Sequence, residues 1–240
     1  MTTPFDYDAN PERFRLASRV TQQHLTTPRS LYDHLAEVLV GMGVRRILDI
    51  GCGEGALRAA LPARLRSRVV GLDASRTMLG AHPPPVVQAD ATALPFPPEV
   101  FGAAVAVNVL DHLPDPTVAI AEAGRVLAPG GWFVAATASR HDAPELAHVW
   151  RPPPVGFDAE GGPGLVASVF GQVRVERWDA PLLRLPDRGA VRDYLIARFA
   201  PPEVASAAAE QVATPATITK RGALIYARNE PAGRLRPTPP

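Results

Sequence analysis

The sequence predicts an α/β fold built on a parallel sheet with helices on both faces. Three observations predict it. Short, nearly continuous apolar runs recur at RRILDI, RVVGLD, PVVQAD, FGAAVAVN and GWFVAATAS, the pattern of strands buried on both faces. Helical stretches separate most of these runs, so the units are βαβ. The first run ends in the glycine-rich turn DIGCGEG and opens into a helix, the strand-turn-helix grammar of a nucleotide site.

Each element follows in order. Residues 11–25 read as a helix carrying Phe14, Leu16 and Val20, and 30–42 as a second through Leu31, Leu35, Val38 and Leu39, ended by Gly41 and Gly43. After the first strand and its turn comes a helix over 56–65, then the second strand, a helix over 75–81, the third and fourth strands, a helix over 115–127 and the fifth strand. Beyond residue 140 the periodicity weakens. Short helices are expected at 145–150 and 164–170, a strand at QVRVERWD, helices at 189–199 and 202–212, and a last strand at ITKRGALIYAR. The proline-rich stretch 151–164 is either a lid or a disordered connection. These elements make a single domain over 1–230: a helical cap at 1–43, a core at 44–140, and a second half at 141–230 with a helical insertion at 188–216. A flexible tail follows at 231–240.

Composition narrows the class. With 240 residues, 46% hydrophobic and 20% charged, the chain can bury a large core without staples. A single cysteine, Cys52, excludes a disulfide scaffold and multi-cysteine zinc modules. No apolar run approaches the ~20 residues of a membrane span, and the start MTTPFDYDANPERFR lacks a basic region leading into an apolar core. A cytoplasmic protein without membrane association is expected. The net charge of +1 argues against a nucleic-acid partner, although residues from Thr217 onward carry +4 against −3 for the rest.

In the turn, Gly51, Gly53 and Gly55 let the backbone bend and let a ligand reach amides that a Cβ would shield. Gly51-x-Gly53-x-x-Ala56 is compatible with a dinucleotide as well. The acids discriminate. Asp73 ends the second strand 20 positions after Gly53, where a carboxylate meets ribose hydroxyls. A dinucleotide fingerprint does not call for Asp90 at the end of the third strand, nor for Asp49 leading into the glycines, where a carboxylate suits a cationic amine rather than a pyrophosphate.

With these residues in view, the chain resembles the class I S-adenosylmethionine-dependent methyltransferases, of the small-molecule type described as methyltransferase domain 11. The resemblance runs over about 32–139 through ILDIGCGEG, VVGLDAS, QADATALPFPPEVFGAAVAVNVLDHLPD and RVLAPGGWFVAA. It implies a Rossmann-like seven-stranded sheet with an antiparallel last strand, QVRVERWD and ITKRGALIYAR filling the sixth and seventh places. It implies S-adenosyl-L-methionine as cofactor, leaving S-adenosyl-L-homocysteine. Asp49 with Gly51, Cys52, Gly53 and Gly55 would hold the amino acid part, and Asp73 and Ala74 the ribose. Asp90 with Ala91 would read the adenine, Met78 would cover an adenine or ribose face, and Asn108 and Val109 would line the methionine portion. Met78 reads equally as core packing on a helix, and Cys52 as a small packing residue rather than a nucleophile.

The implied reaction is an in-line displacement in which positioning counts for most, with a general base adding about 10²–10⁴-fold. His112 and Asp111 after the fourth strand and His141, with Asp142 beside it, after the fifth are the candidate catalytic residues, at the strand ends where ligands bind in such sheets. His24, His34, His82 and His148 are expected at the surface, and no metal is expected. Tyr7, Phe14, Trp150, Phe157, Trp178, Leu182, Leu183, Tyr194 and Phe199 favour a small apolar or aromatic methyl acceptor, at least half of them also reading as core. The expected enzyme is a methyltransferase for such a metabolite, oxygen more often than carbon or nitrogen, working as monomer or homodimer. The alternatives are a nucleic-acid methyltransferase, a nicotinamide dehydrogenase, and a protein that binds S-adenosylmethionine without methyl transfer.

Overall fold

The computed structural model describes residues 7, 8 and 10–230; the expected tail at 231–240 lies outside the described residues. The chain runs through α1 (Pro11–His24), α2 (Leu31–Gly41), β1 (Ile47–Ile50), α3 (Ala56–Ala60), α4 (Ala63–Arg66), β2 (Val69–Asp73), α5 (Arg76–Ala81), β3 (Val86–Gln88) and β4 (Phe101–Val107). It continues through α6 (Pro116–Val126), β5 (Leu127–Ala138), α7 (Gly162–Phe170), β6 (Val173–Leu185), α8 (Arg188–Ala197), α9 (Pro202–Ala209) and β7 (Ala216–Arg228). The strands form one sheet in the order β3-β2-β1-β4-β5-β7-β6. β1 to β5 pair in parallel, and β7 is antiparallel to both β5 and β6. The Rossmann-like sheet with an antiparallel last strand is therefore what forms.

Alternation along the strands divides the core. Leu48, Ile50, Ala104, Ala106, Phe133 and Ala135 point to the face covered by α6 and α7. Ile47, Ala103, Val105, Val107, Val134 and Ala136 point to the face covered by α2, α3 and α4. Leu35 and Leu39 on α2 are fully buried, each worth roughly 1.5–3 kcal/mol over exposure. The helices start where their caps allow. Ser30 and Asp33 form a capping box on α2, Asp115 caps α6 ahead of Pro116, and Asp187 caps α8, each satisfying amides that lack a helical partner.

Local chemistry moves several boundaries. The helix expected over 56–65 is two short ones, because Pro62 cannot continue α3 and instead caps α4. The helix expected over 145–150 is only a 3₁₀ turn, Pro144–Leu146. The sixth strand runs on to Leu185, through an irregularity between Pro181 and Leu183 where proline has no amide to donate. The stretch 151–164 is neither a lid nor a disordered connection over its second half: Phe157, Asp158 and Ala159 are buried, and the Ala159 amide donates to Ala138 O.

The insertion between β6 and β7 is helical, as expected. With Val20 of α1, Leu183 and Leu185 of β6, and Leu146, α8 and α9 build a third apolar cluster. Asp142, just beyond β5, holds this cap to the sheet. Its buried carboxylate accepts from Arg198 Nη1 (2.5 Å), from Lys220 Nζ and from the Arg221 amide.

Candidate active site

The glycine turn after β1 is stitched to the end of β2. The amides of Gly51 and Cys52 both donate to Leu72 O, at 2.7 and 3.0 Å, and the Gly53 amide donates to Asp73 Oδ2 at 2.8 Å. The other Asp73 oxygen accepts from the Ser75 amide at 2.9 Å. Gly51, Gly53 and Gly55 have φ of +67°, +52° and +93°, a region that side chains disfavour. Space forbids a side chain as well. A Cβ on Gly51 would lie 2.3 Å from Val109 Cγ2, and one on Gly53 would lie 3.2 Å from the Phe14 ring. Val109 and Phe14 thus close on the turn from two sides. Cys52 is buried and burial pushes its thiol pKa up, consistent with packing.

Strand order brings three carboxylates along one edge, because Asp49, Asp73 and Asp90 lie at or just beyond the carboxyl ends of the neighbours β1, β2 and β3. Asp49 is 3% exposed, and among the described residues no Lys, Arg or His forms an ion pair with it. Burial, with the charge of Asp73 adding, pushes its carboxyl up to about 8. Asp90 is exposed and accepts from the Thr92 amide and hydroxyl, both at 2.8 Å. Next to it Ala91 is buried. Ala74 is exposed, and Met78 on α5 is fully buried. Bare backbone beside a buried, protonated carboxyl fits a ligand with a cationic amine, which would let Asp49 ionise.

After β4 the backbone turns through Asn108 at φ +49°, its amide donating to Ala136 O, into a 3₁₀ turn, Leu110–His112. His112 Nε2 lies 3.7 Å from Asp111 Oδ2 and 3.3 Å from Tyr7 Oη. The Tyr7 ring meets Phe14 edge-on at 5.8 Å. Burial lowers the His112 pKa and raises that of Asp111, each opposed by the other's charge, and burial also raises that of Tyr7. Burial thus favours the neutral form of the His112 ring. Asp111 Oδ1 is buried without a hydrogen-bond partner among the described residues.

Residues ahead of and within α1 reach the turn by contacts that no local pattern announces. Asp8 Oδ1 accepts from Ser75 Oγ (2.7 Å) and the Thr77 amide (2.9 Å), clipping the start of the chain to α5. Arg15 Nε donates to Glu54 Oε1 at 2.8 Å. His82, expected at the surface, is buried: its ring presses on Gly55 and Gly71, and Nε2 has no partner among the described residues. A sequence reading misses it because His82 comes just after α5, a helix of only six residues.

The structure does not bring His141 to this group. It is exposed after β5, its amide donating to Ser139 Oγ at 2.9 Å. Several residues expected at the substrate side are core instead. Phe157 and Leu183 are buried, Trp178 packs over Gly222 in the sheet, and the buried Tyr194 accepts from Lys220 Nζ.

Residues 48–135 match the family model described as Methyltransferase domain. Ubiquinone biosynthesis O-methyltransferase of Alkalilimnicola ehrlichii is 32% identical over 126 residues, 45% of this chain and 48% of that protein. The chain spans about half the length of the curated relatives it matches. In fold it is similar to phosphoethanolamine N-methyltransferase 2 of Haemonchus contortus, solved with S-adenosylhomocysteine (TM-score 0.59, 15% identity, 96% of this chain and 61% of that one). It is also similar in fold to the [4+2]-cyclase SpnF (TM-score 0.57, 20% identity, 95% of each chain). Among the described residues no helix is long and apolar enough to cross a membrane.

Proposed function

We propose that the chain, whose residues 48–135 match the methyltransferase domain model, is a class I S-adenosylmethionine-dependent methyltransferase that methylates a small apolar or aromatic metabolite, at oxygen in preference to carbon or nitrogen. The observation that carries the reading is Asp49, a buried carboxyl with a raised pKa beside a side-chain-free turn. Asp49 receives an ammonium group, Asp73 the ribose hydroxyls, and Asp90 with the Ala91 amide the adenine. Asn108 and Val109 flank the methionine part, with Gly51, Cys52, Gly53 and Gly55 beneath it and Ala74 and Met78 at the ribose side. When bound, S-adenosylmethionine supplies an electrophilic methyl group on a sulfonium and leaves as S-adenosylhomocysteine.

His112 takes up the acceptor's proton at Nε2, a role its burial supports by keeping the ring neutral. The Tyr7 hydroxyl now rests against that nitrogen, so a phenol or alcohol oxygen is sterically acceptable there. Asp111, whose Oδ2 lies 3.7 Å from that nitrogen, offsets the positive charge the ring acquires. His141 is the second candidate base, open to solvent. Fold likeness alone does not decide the chemistry, and a protein that binds the cofactor without turnover is the reading to exclude.

The test is calorimetric titration with S-adenosylhomocysteine, with NADH in parallel. One-to-one binding of the first and none of the second is expected. Binding of NADH alone would overturn the assignment of Asp49 and Asp90.

A further inference from the structure

One stretch of the chain is strongly one-signed. Residues 45–68 carry six arginines and two acids, Asp49 and Glu54. Asp49 lies near the carboxyl end of β1 and Glu54 beyond it, accepting from Arg15, so the arginines alone charge the other end. The parallel pairing of Ile47 with Val69 sets Arg45 and Arg46, just ahead of β1, at the same end of the sheet as Arg68, just ahead of β2. α4, which runs up to that end, adds Arg64 and Arg66.

Three of the six are engaged by the chain itself. Arg58 Nη1 donates to Val69 O at 3.1 Å, Arg66 donates to Leu61 O and Ala59 O at 2.6 and 3.0 Å, and the Arg46 guanidinium lies 5.3 Å from the centre of the Phe101 ring. The other three, Arg45, Arg64 and Arg68, line one cleft of about 210 Å³ together with the apolar Val40, Val44 and Leu65. No carboxylate lines it, and among the described residues none of these three side chains forms an ion pair or a hydrogen bond. Like charges gathered on one cleft repel, and an anion seated among them turns that repulsion into attraction. The cleft is smaller than the roughly 300–1,000 Å³ that encloses a drug-sized ligand, so it suits a compact anionic group. A carboxylate would answer one of the three cations. A phosphoryl group brings up to two charges and three acceptor oxygens, which guanidinium forks match. With Arg46, Arg58 and Arg66 turned to their own chain, the free cations form a cluster rather than the stripe that tracks a nucleic-acid backbone.

We propose that this cleft is a phosphate site, binding inorganic phosphate or the phosphate group of a small ester between Arg45, Arg64 and Arg68. It lies at the opposite end of β1 from the glycine turn, a strand of four residues that spans about 13 Å, and it rests on no part of the methyl-transfer reading.

The experiment is calorimetric titration of the full chain with inorganic phosphate and with phenyl phosphate at about pH 8, where both are largely dianions, with chloride adjusted to hold the ionic strength constant. Saturable one-to-one binding of at least one is expected. Inorganic phosphate leading identifies the free ion as occupant, and phenyl phosphate leading identifies an ester whose body lies on Val40, Val44 and Leu65. Arg64→Gln with Arg68→Gln should weaken binding at least tenfold, and Arg45→Gln alone at least threefold. Arg151→Gln with Arg184→Gln removes the same charge from exposed positions elsewhere and should change binding less than twofold. In low salt the Arg64 and Arg68 pair of substitutions should melt at or above the wild-type temperature, because a repulsion is removed; a lower melting temperature would mean that these side chains serve the fold and would overturn the proposal. Heat that never saturates, affinity untouched by the pair, or an equal loss in the control pair would overturn it too. So would an RNA oligonucleotide binding at least tenfold tighter than either phosphate through the same arginines, which would give the cleft to a nucleic-acid backbone.

Discussion

Replacing Asp49 by asparagine separates the cost of this carboxyl to the free protein from its use to a ligand. An aspartate that titrates at about 8 rather than 3.8 resists ionisation by roughly 5–6 kcal/mol. The folded state therefore holds a proton that the unfolded state gives up near pH 4. Stability falls as pH rises from about 4 to 8, because over that window the folded chain binds more protons. A ligand ammonium beside the carboxylate reverses the preference. With a pKa of about 8, about 0.9 of the carboxyl is protonated at pH 7, so binding should release about 0.9 proton there. Titrating S-adenosylhomocysteine at pH 7 in buffers of different ionisation enthalpy reads that number directly. Asp49→Asn should release none, should bind at least tenfold more weakly, and should match or exceed the wild type in stability at pH 8. Tight binding by the wild type with no proton release would refute the reasoning, since it would mean that Asp49 is already ionised or never meets the amine.

Three further outcomes are expected. Gly51→Ala puts a Cβ 2.3 Å from Val109 at a positive φ, and should lower stability by more than about 2 kcal/mol; a melting temperature within 2 °C of wild type (about 0.5 kcal/mol) would sink the close-packing account. Asp142→Ala strands Arg198 and Lys220 beside each other, and should cost about 3–5 kcal/mol in urea unfolding. His82 has its folded pKa lowered by burial, so its contribution is full above the unfolded pKa of about 6.5 and is lost as pH falls below it, where the unfolded chain takes up the proton. The stability difference between wild type and His82→Gln should therefore shrink between pH 7 and 5, and a constant difference would mean that His82 does not titrate on unfolding.

The parallel strands were legible because burial on both faces leaves runs such as FGAAVAV with no polar position to misread. The three acids were legible because each sits at a strand's carboxyl end or just past it, so a one-dimensional landmark fixes a three-dimensional edge. What the sequence hid is non-local. Nothing near Asp8 signals that it will accept from Ser75 and Thr77, and nothing near Tyr7 signals His112, 105 residues away. The aromatic residues misled for a related reason. Phe157 and Trp178 are as apolar as a substrate wall would be, and only packing tells a wall from a core.

Asp73 has a consequence for how fast a ligand could bind. Its two oxygens hold the Gly53 and Ser75 amides in the free protein, so a turn rich in glycine is kept in one shape. A slack turn would surrender about 1–2 kcal/mol of backbone entropy for each residue it ordered on binding. Here that ordering accompanies folding instead, and association should follow single-step kinetics, linear in ligand concentration, without the plateau of a loop that must first close.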